Sequence, residues 1–95
     1  MTMFKIARIT NHLGVTKVSP TAKSRIGRVI DLDASKIEVG RAGFLVCVNP
    51  GFSDSLMTSR INHVYVSDDV ITVWTKNSIY WLQKEGANRH DRLQD

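Results

Sequence analysis

The residues of this chain that could bind a ligand fall into an aromatic group and a basic group. The aromatic group comprises His63, Tyr65, Trp74 and Trp81. Exposed rings on a sheet stack on unpaired nucleobases, at about 1–3 kcal/mol per base. The same ring types are common in protein interfaces, and here they could also lie buried beneath the basic segment. The group therefore predicts a contact surface for nucleic acid, with a protein contact or burial as the alternatives.

The basic group lies within residues 17–28 and comprises Lys17, Lys23, Arg25 and Arg28. The first thirty residues hold six Lys and Arg and no Asp or Glu, whereas residues 31–95 hold seven basic and nine acidic residues. This asymmetry favours an anionic partner, because Lys and Arg position nucleic acids through their phosphates. The alternative is that the charges keep an edge strand soluble.

Residues that could hold a metal ion are few and scattered. They are His12, Cys47, His63 and His90. Zinc sites bring thiolates and imidazoles together at close spacing, which this sequence lacks. Cys47 lies in the apolar run 44–48, which favours a buried and unreactive thiol. We therefore expect no metal and no cofactor.

Paired carboxylates occur at Asp31/Asp33 and at Asp68/Asp69. Each pair flanks a predicted turn, where Asp is common because its side chain bonds the local backbone. The sequence also lacks a glycine-rich phosphate loop and the HExxH and GxSxG motifs. We interpret the protein as a binding module and not as an enzyme.

Length and composition predict one soluble domain. The chain has 95 residues, of which 42% are hydrophobic and 23% charged, and its formal net charge is +4. Its apolar runs are much shorter than the roughly 20 residues of a membrane helix, and its first residues lack the apolar core of a signal peptide. A lone cysteine fits a reducing compartment. We expect a cytoplasmic protein with no membrane partner.

Residues 61–82 predict three strands joined by two tight turns. β-branched and aromatic residues dominate this segment, which suits a pleated surface. The pairs Asp68-Asp69 and Lys76-Asn77 fit two-residue hairpin loops. The resulting cross-strand pairs are Val66 with Ile71, Val64 with Val73, His63 with Trp74, Thr75 with Ser78, Trp74 with Ile79, Val73 with Tyr80 and Thr72 with Trp81.

This register sorts the side chains onto two faces, since successive residues of a strand point to opposite sides. The inward, mainly aliphatic face comprises Val64, Val66, Ile71, Val73, Tyr80 and Leu82. The outward, aromatic face comprises Ile61, His63, Tyr65, Thr72, Trp74, Ile79 and Trp81. A one-residue slip in either turn would exchange residues between the faces.

The first part of the chain predicts short strands separated by loops. Residues 4–10 and 15–18 are expected to form a hairpin, and a proline-containing breaker follows at 19–22. Residues 24–32 alternate as a strand, in which Gly27 indicates a bulge or bend.

The middle of the chain is less regular. Residues 33–40 fit either a short helix or an extended segment, and the extended form is favoured. Residues 41–43 turn the chain into 44–48, predicted as a central strand covered on both faces. A turn at 49–51 precedes the segment 52–60. The apolar anchors of that last segment are Leu56 and Met57.

These elements predict an all-β fold of six to seven short strands, with a C-terminal three-strand meander and at most one short helix. A small antiparallel barrel or a curled sheet would satisfy this count, and the barrel is favoured because closure removes exposed edges. We expect residues 1–82 to form a single domain and the polar residues 83–95 to be disordered.

The segments MTSRI and VITVWTKNSIYWL resemble, in general character, short β-proteins of bacteria and bacteriophages. The leading functional hypothesis is a module that binds RNA or single-stranded DNA. Phosphate contacts would come from the basic group and stacking from the aromatic group. The alternative is a protein-binding adaptor or inhibitor, of the kind encoded by phages, that uses the aromatic face for a protein partner or for a homodimer.

Overall fold

A computed structural model describes residues 2–48 and 55–85 of the chain. In chain order the elements of this part are β1 (Met3–Thr10), α1 (Pro20–Arg25), β2 (Val29–Lys36), β3 (Ala42–Cys47), β4 (Ser55–Ser67), β5 (Val70–Thr75) and β6 (Ile79–Lys84). The predicted all-β fold with at most one short helix is confirmed. Within these residues no helix is long and apolar enough to cross a membrane.

The sheet closes on itself as a six-stranded antiparallel barrel. Each strand pairs with the next along the chain, and β6 also pairs with β1. The β1–β6 seam runs from the pair Phe4–Lys84 to the pair Thr10–Ile79. Closure in this way satisfies the backbone groups that the edges of an open sheet would leave unpaired.

Apolar side chains from all six strands and from α1 fill the interior. The buried cluster is Phe4, Ile6, Ile9, Ala22, Ile30, Leu45, Cys47, Leu56, Ile61, Ile71, Val73, Tyr80 and Leu82. The prediction that Cys47 is buried is confirmed. Each large aliphatic side chain in such a core contributes about 1.5–3 kcal/mol by leaving water.

Both predicted hairpin turns and their registers are confirmed. In the β4–β5 hairpin His63 lies opposite Trp74 and Val64 opposite Val73. The pairs of the β5–β6 hairpin also match the prediction. Asp68 adopts a positive φ of 46° in the first turn, a conformation that Asp tolerates better than most residues. The turn residues therefore set the register of all three strands.

The predicted faces are wrong at two positions of β4. Ile61 points into the barrel, because Asn62 is an extra residue between the pairs that Ile61 and His63 make with β5 and so shifts the alternation. Val66 was expected in the core but is 71% exposed. The pairing of β4 with β3 ends at Arg60, so the part of β4 that carries Val66 pairs with β5 alone. Within the described chain the other edge of β4 is therefore without a strand partner at this position.

The helix α1 occupies a position where the sequence predicted a chain break followed by a strand. Ser19 caps it by accepting a hydrogen bond from the Ala22 N–H at 3.2 Å. Pro20 stands at the first helical position, where its missing N–H costs nothing. Gly27 lies in the following turn with a φ of 93°, and β2 begins only at Val29.

Two other local predictions differ from the structure in the first half of the chain. The hairpin strand expected at 15–18 is reduced to an isolated bridge between Thr16 and Thr10. In the segment 33–40 the extended form is confirmed as far as Lys36, where β2 ends.

In β3 the apolar run alternates instead of being covered on both faces, with Leu45 buried and Phe44 exposed. The turn predicted at 41–43 is wrong for its last two residues, because β3 begins at Ala42 and includes Gly43. Met57 is exposed and does not anchor β4. The turn predicted at 49–51 and most of the predicted tail lie outside the described residues.

Thr75 closes the β5–β6 turn with buried side-chain hydrogen bonds. Its hydroxyl donates to the Ser78 carbonyl at 2.9 Å and accepts from the Ser78 N–H at 3.0 Å. We expect Thr75→Val to lower the free energy of unfolding in urea by about 1–3 kcal/mol, because the buried Ser78 N–H loses its partner, whereas the Ser78 carbonyl still accepts from the Thr75 N–H at 2.7 Å. Thr72→Val, at a position without a side-chain hydrogen bond in the described chain, is the control and should change it by less than about 0.5 kcal/mol. Equal effects would contradict this role for Thr75.

Candidate functional site

The outer surface of β4, β5, β6 and β1 carries two aligned rows of side chains. The first row is His63, Trp74, Ile79 and Thr10, and the second is Tyr65, Thr72, Trp81 and Arg8. Neighbouring strands lie about 4.8 Å apart, so each row spans about 14 Å. We call these two rows, together with His12 above them, the ring face.

Three contacts join four rings into a chain across the ring face. His12 stacks on Trp74 with ring centroids 6.1 Å apart and an interplanar angle of 14°. Tyr65 meets Trp74 edge-on at 6.0 Å, and His63 stacks on Tyr65 at 5.8 Å. Edge-to-face and offset-stacked pairs are the favourable geometries for aromatic rings. The four rings therefore form one connected apolar surface.

The rings of this chain differ in how much of their surface a partner could reach. Tyr65 is 55% exposed, and His12 and His63 are also exposed, whereas Trp74 is half-buried beneath His12. The sequence predicted Trp74 itself as the stacking surface. In the structure it is better described as the support on which the exposed rings rest.

His12 is held over the sheet by a hydrogen bond to the β5–β6 turn. Its Nε2 lies 2.7 Å from the Thr75 carbonyl oxygen, which can only accept, so Nε2 donates. The loop that carries His12 thereby reaches Trp74, which lies opposite Ile79. Ile79 is only 2% exposed although its position in the register is outward, so its predicted exposure is wrong. It lies outside the connected hydrophobic cluster that fills the barrel interior.

Trp81 is fixed from two sides. Its Nε1–H donates to the Thr10 hydroxyl at 3.0 Å, and the Arg8 guanidinium lies over the ring with Cζ 5.2 Å from the centroid. Arg8 is oriented in turn by donating from Nη2 to the Gly14 carbonyl at 3.2 Å. A cation over an indole stabilises by about 0.5–2 kcal/mol. This arrangement places a positive charge at the β1 end of the second row.

Arg8 and His12 were not identified from the sequence as site residues. Strict alternation in β1 would point Arg8 inward, but the register shifts between Ile6 and Arg8 and turns it outward. The signal for this shift is that Ile6 and Ile9 are both apolar at an odd spacing, which an extra residue between them would explain. His12 carries no such signal, because only the β1–β6 pairing brings it to Trp74.

The four predicted basic residues lie around α1 and not on the ring face. Lys23 is exposed on α1, and Arg28 donates from Nε to the Ser24 carbonyl at 3.1 Å. Lys17 and Arg25 bond to groups of β4, β6 and the β5–β6 turn. Of the cations in the described chain, Arg8 is the one seated over an indole. The structure thus separates the predicted phosphate contacts from the predicted stacking residues.

Charge is distributed unevenly along the ring face. Asp68 and Asp69 lie in the turn at the β4–β5 end. Arg8 lies on β1 at the opposite edge, and Lys5 shares the outer side of that strand because Phe4 and Ile6 on either side of it are buried. A bound anion is therefore favoured near β1 and disfavoured near the hairpin tip.

The geometry of the ring face is the basis for assigning a function to this chain. Its rings and its cation are positioned by strand pairings and turn contacts that belong to the fold itself. Comparison of the chain with protein-family models, with curated proteins and with solved structures found no match.

Proposed function

We propose that the protein is a non-enzymatic module that binds single-stranded nucleic acid, either RNA or DNA, on its ring face. The observation that supports this most is the connected chain of His12, Trp74, Tyr65 and His63 on one open sheet surface. Modules that bind single strands combine aromatic platforms for the bases with cations that follow the backbone. The ring face offers both.

The exposed rings are suited to stacking and the half-buried ones to support. Bases would lie on Tyr65, His63 and His12, each of which presents accessible ring surface. Trp74 supports two of these rings through direct contact. Such stacking is tolerant of sequence, because every base has a flat apolar surface.

The cations on the face suggest a path for the phosphates. Arg8 lies at the β1 edge, and the carboxylates of Asp68 and Asp69 lie toward the other end. A strand that crosses from β4 toward β1 along the row of Tyr65 and Trp81 reaches Arg8, whereas Lys5 lies in the row of Gln83 and Val70, beside the turn that carries both carboxylates. Binding on this path should weaken as salt is added, with a log–log slope of about −0.7 for each phosphate that is neutralised, since each contact releases condensed counterions.

Tyr65→Ala tests the proposal with little risk to folding, because the side chain is more than half exposed. We expect the variant to bind a labelled, mixed-sequence oligonucleotide about 5- to 150-fold more weakly, the effect of losing one stacked base. Fluorescence anisotropy at about 50 mM salt, where phosphate contacts are strongest, is the measurement. RNA and single-stranded DNA should both be titrated.

Two further variants in β4 show whether the aromatic ring of Tyr65 is what binding requires. Tyr65→Phe keeps the ring and should bind like the wild type if stacking is the interaction. Val66→Ala removes an exposed apolar side chain from the opposite face of β4 and should also bind normally. The proposal is wrong if neither oligonucleotide binds at that salt concentration, or if Tyr65→Ala binds as well as the wild type.

A protein partner is the second candidate, and one observation favours it. Tyr65 and the strongly exposed Val66 follow one another near the end of β4. Val66 also borders an apolar cleft of about 270 Å³ between β2, β4 and β5. Size-exclusion chromatography with light scattering separates the candidates. A dimer that dissociates on Val66→Asp favours a protein contact, whereas a monomer leaves the ring face open to nucleic acid.

A further inference from the structure

A cleft of about 280 Å³ lies beside α1, between the helix, β4 and the β5–β6 turn. Its polar lining comprises Lys17, Ser19, Thr21, Arg25, Ser59, Asn77, Ser78 and Tyr80. None of the residues that line it is an Asp or Glu. We call it the basic cleft. Clefts for drug-sized ligands usually start at about 300 Å³, so this one fits a smaller group.

Both cations of the basic cleft are held by neutral oxygen atoms. Lys17 donates from Nζ to the Asn77 carbonyl at 2.9 Å and to the Ser78 hydroxyl at 2.8 Å. Arg25 donates from Nη1 to the Tyr80 hydroxyl at 2.7 Å and to the Met57 carbonyl at 3.2 Å. Arg41 and Glu38, which form the ion pair found in the described residues, do not line the cleft. The two positive charges are therefore fixed in place without a carboxylate that neutralises them.

The hydroxyl groups around these cations act as acceptors and retain their own protons. Ser78 and Tyr80 accept from Lys17 and Arg25, respectively. Ser59 accepts from the Asn77 N–H at 3.2 Å, and Ser19 accepts from the helix backbone. A hydroxyl has one proton to donate besides the lone pairs that accept. Within the described residues these four protons have no protein acceptor, so the cleft presents donors without a matching acceptor.

Two of these hydroxyls belong to buried residues that border the cleft. Ser78 and Tyr80 are 7% and 5% exposed, respectively. An anion in the cleft would take the place of water as the acceptor for these hydroxyls, and its bonds to the two cations would be charge-assisted. A tetrahedral oxyanion has enough acceptor oxygens to meet several hydroxyls and two cations at once.

We propose that the basic cleft binds a phosphate group. Lys17 and Arg25 supply the charge, and the hydroxyls of Ser19, Ser59, Ser78 and Tyr80 supply neutral donors. The proposal is independent of nucleic-acid binding on the ring face. The two sites nevertheless share the β5–β6 turn, since His12 bonds Thr75 and Lys17 bonds Ser78. A strand on the ring face could therefore place a terminal phosphate in the cleft, and free phosphate is the other source.

The first experiment uses inorganic phosphate with the full chain. Backbone amide NMR shifts are followed as phosphate replaces chloride at constant ionic strength. We expect saturable shifts at Ala22, Asn77 and Ser78, which belong to the lining. Shifts that do not saturate, or that spread evenly over the surface, would overturn the proposal.

Three variants that each remove one positive charge show where phosphate binds. Lys17→Gln and Arg25→Gln should each weaken phosphate binding by about tenfold or more, because each removes a charge-assisted bond. Lys23→Gln is the matched control, since Lys23 is exposed on the same helix and does not line the cleft. If Arg25→Gln melts at a much lower temperature, Lys17→Gln alone decides the result. Equal affinities for Lys17→Gln and Lys23→Gln would also overturn the proposal.

The second experiment distinguishes the sources of the phosphate. Oligonucleotides with a phosphate or a hydroxyl at the 5′ or the 3′ end are compared in binding to the wild type and to Lys17→Gln. A preference for one phosphorylated end that disappears in Lys17→Gln assigns the cleft to the end of a strand. Saturable binding of inorganic phosphate without such a preference assigns it to free phosphate. Failure of every oligonucleotide to bind rejects the function of the ring face and leaves the phosphate result standing.

Discussion

Leu82→Ala is expected to lower the free energy of unfolding by about 2–5 kcal/mol, the range for truncating a large aliphatic side chain in a packed core. Leu82 is completely buried and lies between Ile71 on β5 and Ile6 on β1. It therefore supports the seam that closes the barrel from the inside. A cavity here cannot collapse easily, because paired strands fix the backbone on both sides.

The matched control is Val66→Ala, which truncates a side chain of the same predicted inward face. Val66 is largely exposed, so its truncation should change the free energy of unfolding by no more than about 0.5 kcal/mol. Urea denaturation monitored by Trp fluorescence measures both variants. A loss for Leu82→Ala as small as that for Val66→Ala would show that the barrel interior is not packed as described.

Gly43→Ala is expected to destabilise the protein by about 1–3 kcal/mol through overpacking alone. A Cβ at this buried position would lie 2.8 Å from the Thr58 hydroxyl oxygen and 3.0 Å from Cδ1 of Ile61. The Thr58 oxygen also accepts the hydrogen bond of the Gly43 N–H at 2.8 Å, so moving it away leaves a buried donor without its partner. The lost hydrogen bond adds to the overpacking, so the total destabilisation should lie near the upper end of the range of about 1–3 kcal/mol or above it.

Gly14→Ala separates crowding from lost backbone freedom. Gly14 has a φ of 85°, and a Cβ added there would have no described atom within 4 Å, so Ala should cost about 1–2 kcal/mol from backbone strain alone. Gly43 has no positive φ, so its whole cost would come from contacts with β4. Thermal unfolding of both variants is the measurement. A wild-type melting temperature for Gly43→Ala would mean that β3 and β4 lie farther apart than described.

The C-terminal meander could be predicted because its signals are local. Two pairs of turn residues interrupt a run of alternating residues, and each pair fixes the strand partners on both sides of it. The helix α1 could not be predicted in the same way. Ser19-Pro20 is compatible with a chain break and equally with a helix start, and a six-residue helix depends on tertiary contacts such as Arg25 with Tyr80.

Of the four linked rings of the candidate site, the three on the hairpin were found from the sequence, but His12 and the surroundings of the rings were not. Tyr65 and Trp74 share a hairpin, so alternation places them on one face. Arg8 and His12 reach this face only because β1 pairs with β6 and because a bulge turns Arg8 outward. Pairing between distant segments and single-residue bulges leave little trace in one sequence, and here they decide which ring surfaces are covered.

The seam between β1 and β6 also has a consequence for how the chain acquires its structure. Phe4 pairs with Lys84, so the first and the last described strands become neighbours only when nearly the whole of this region is available. Until then both strands present unpaired backbone groups, which can pair with strands of other chains. Contacts between residues so far apart in sequence also form slowly, because a long loop must close first. Until β6 has been synthesised, β1 therefore lacks the strand that covers one of its edges in the barrel.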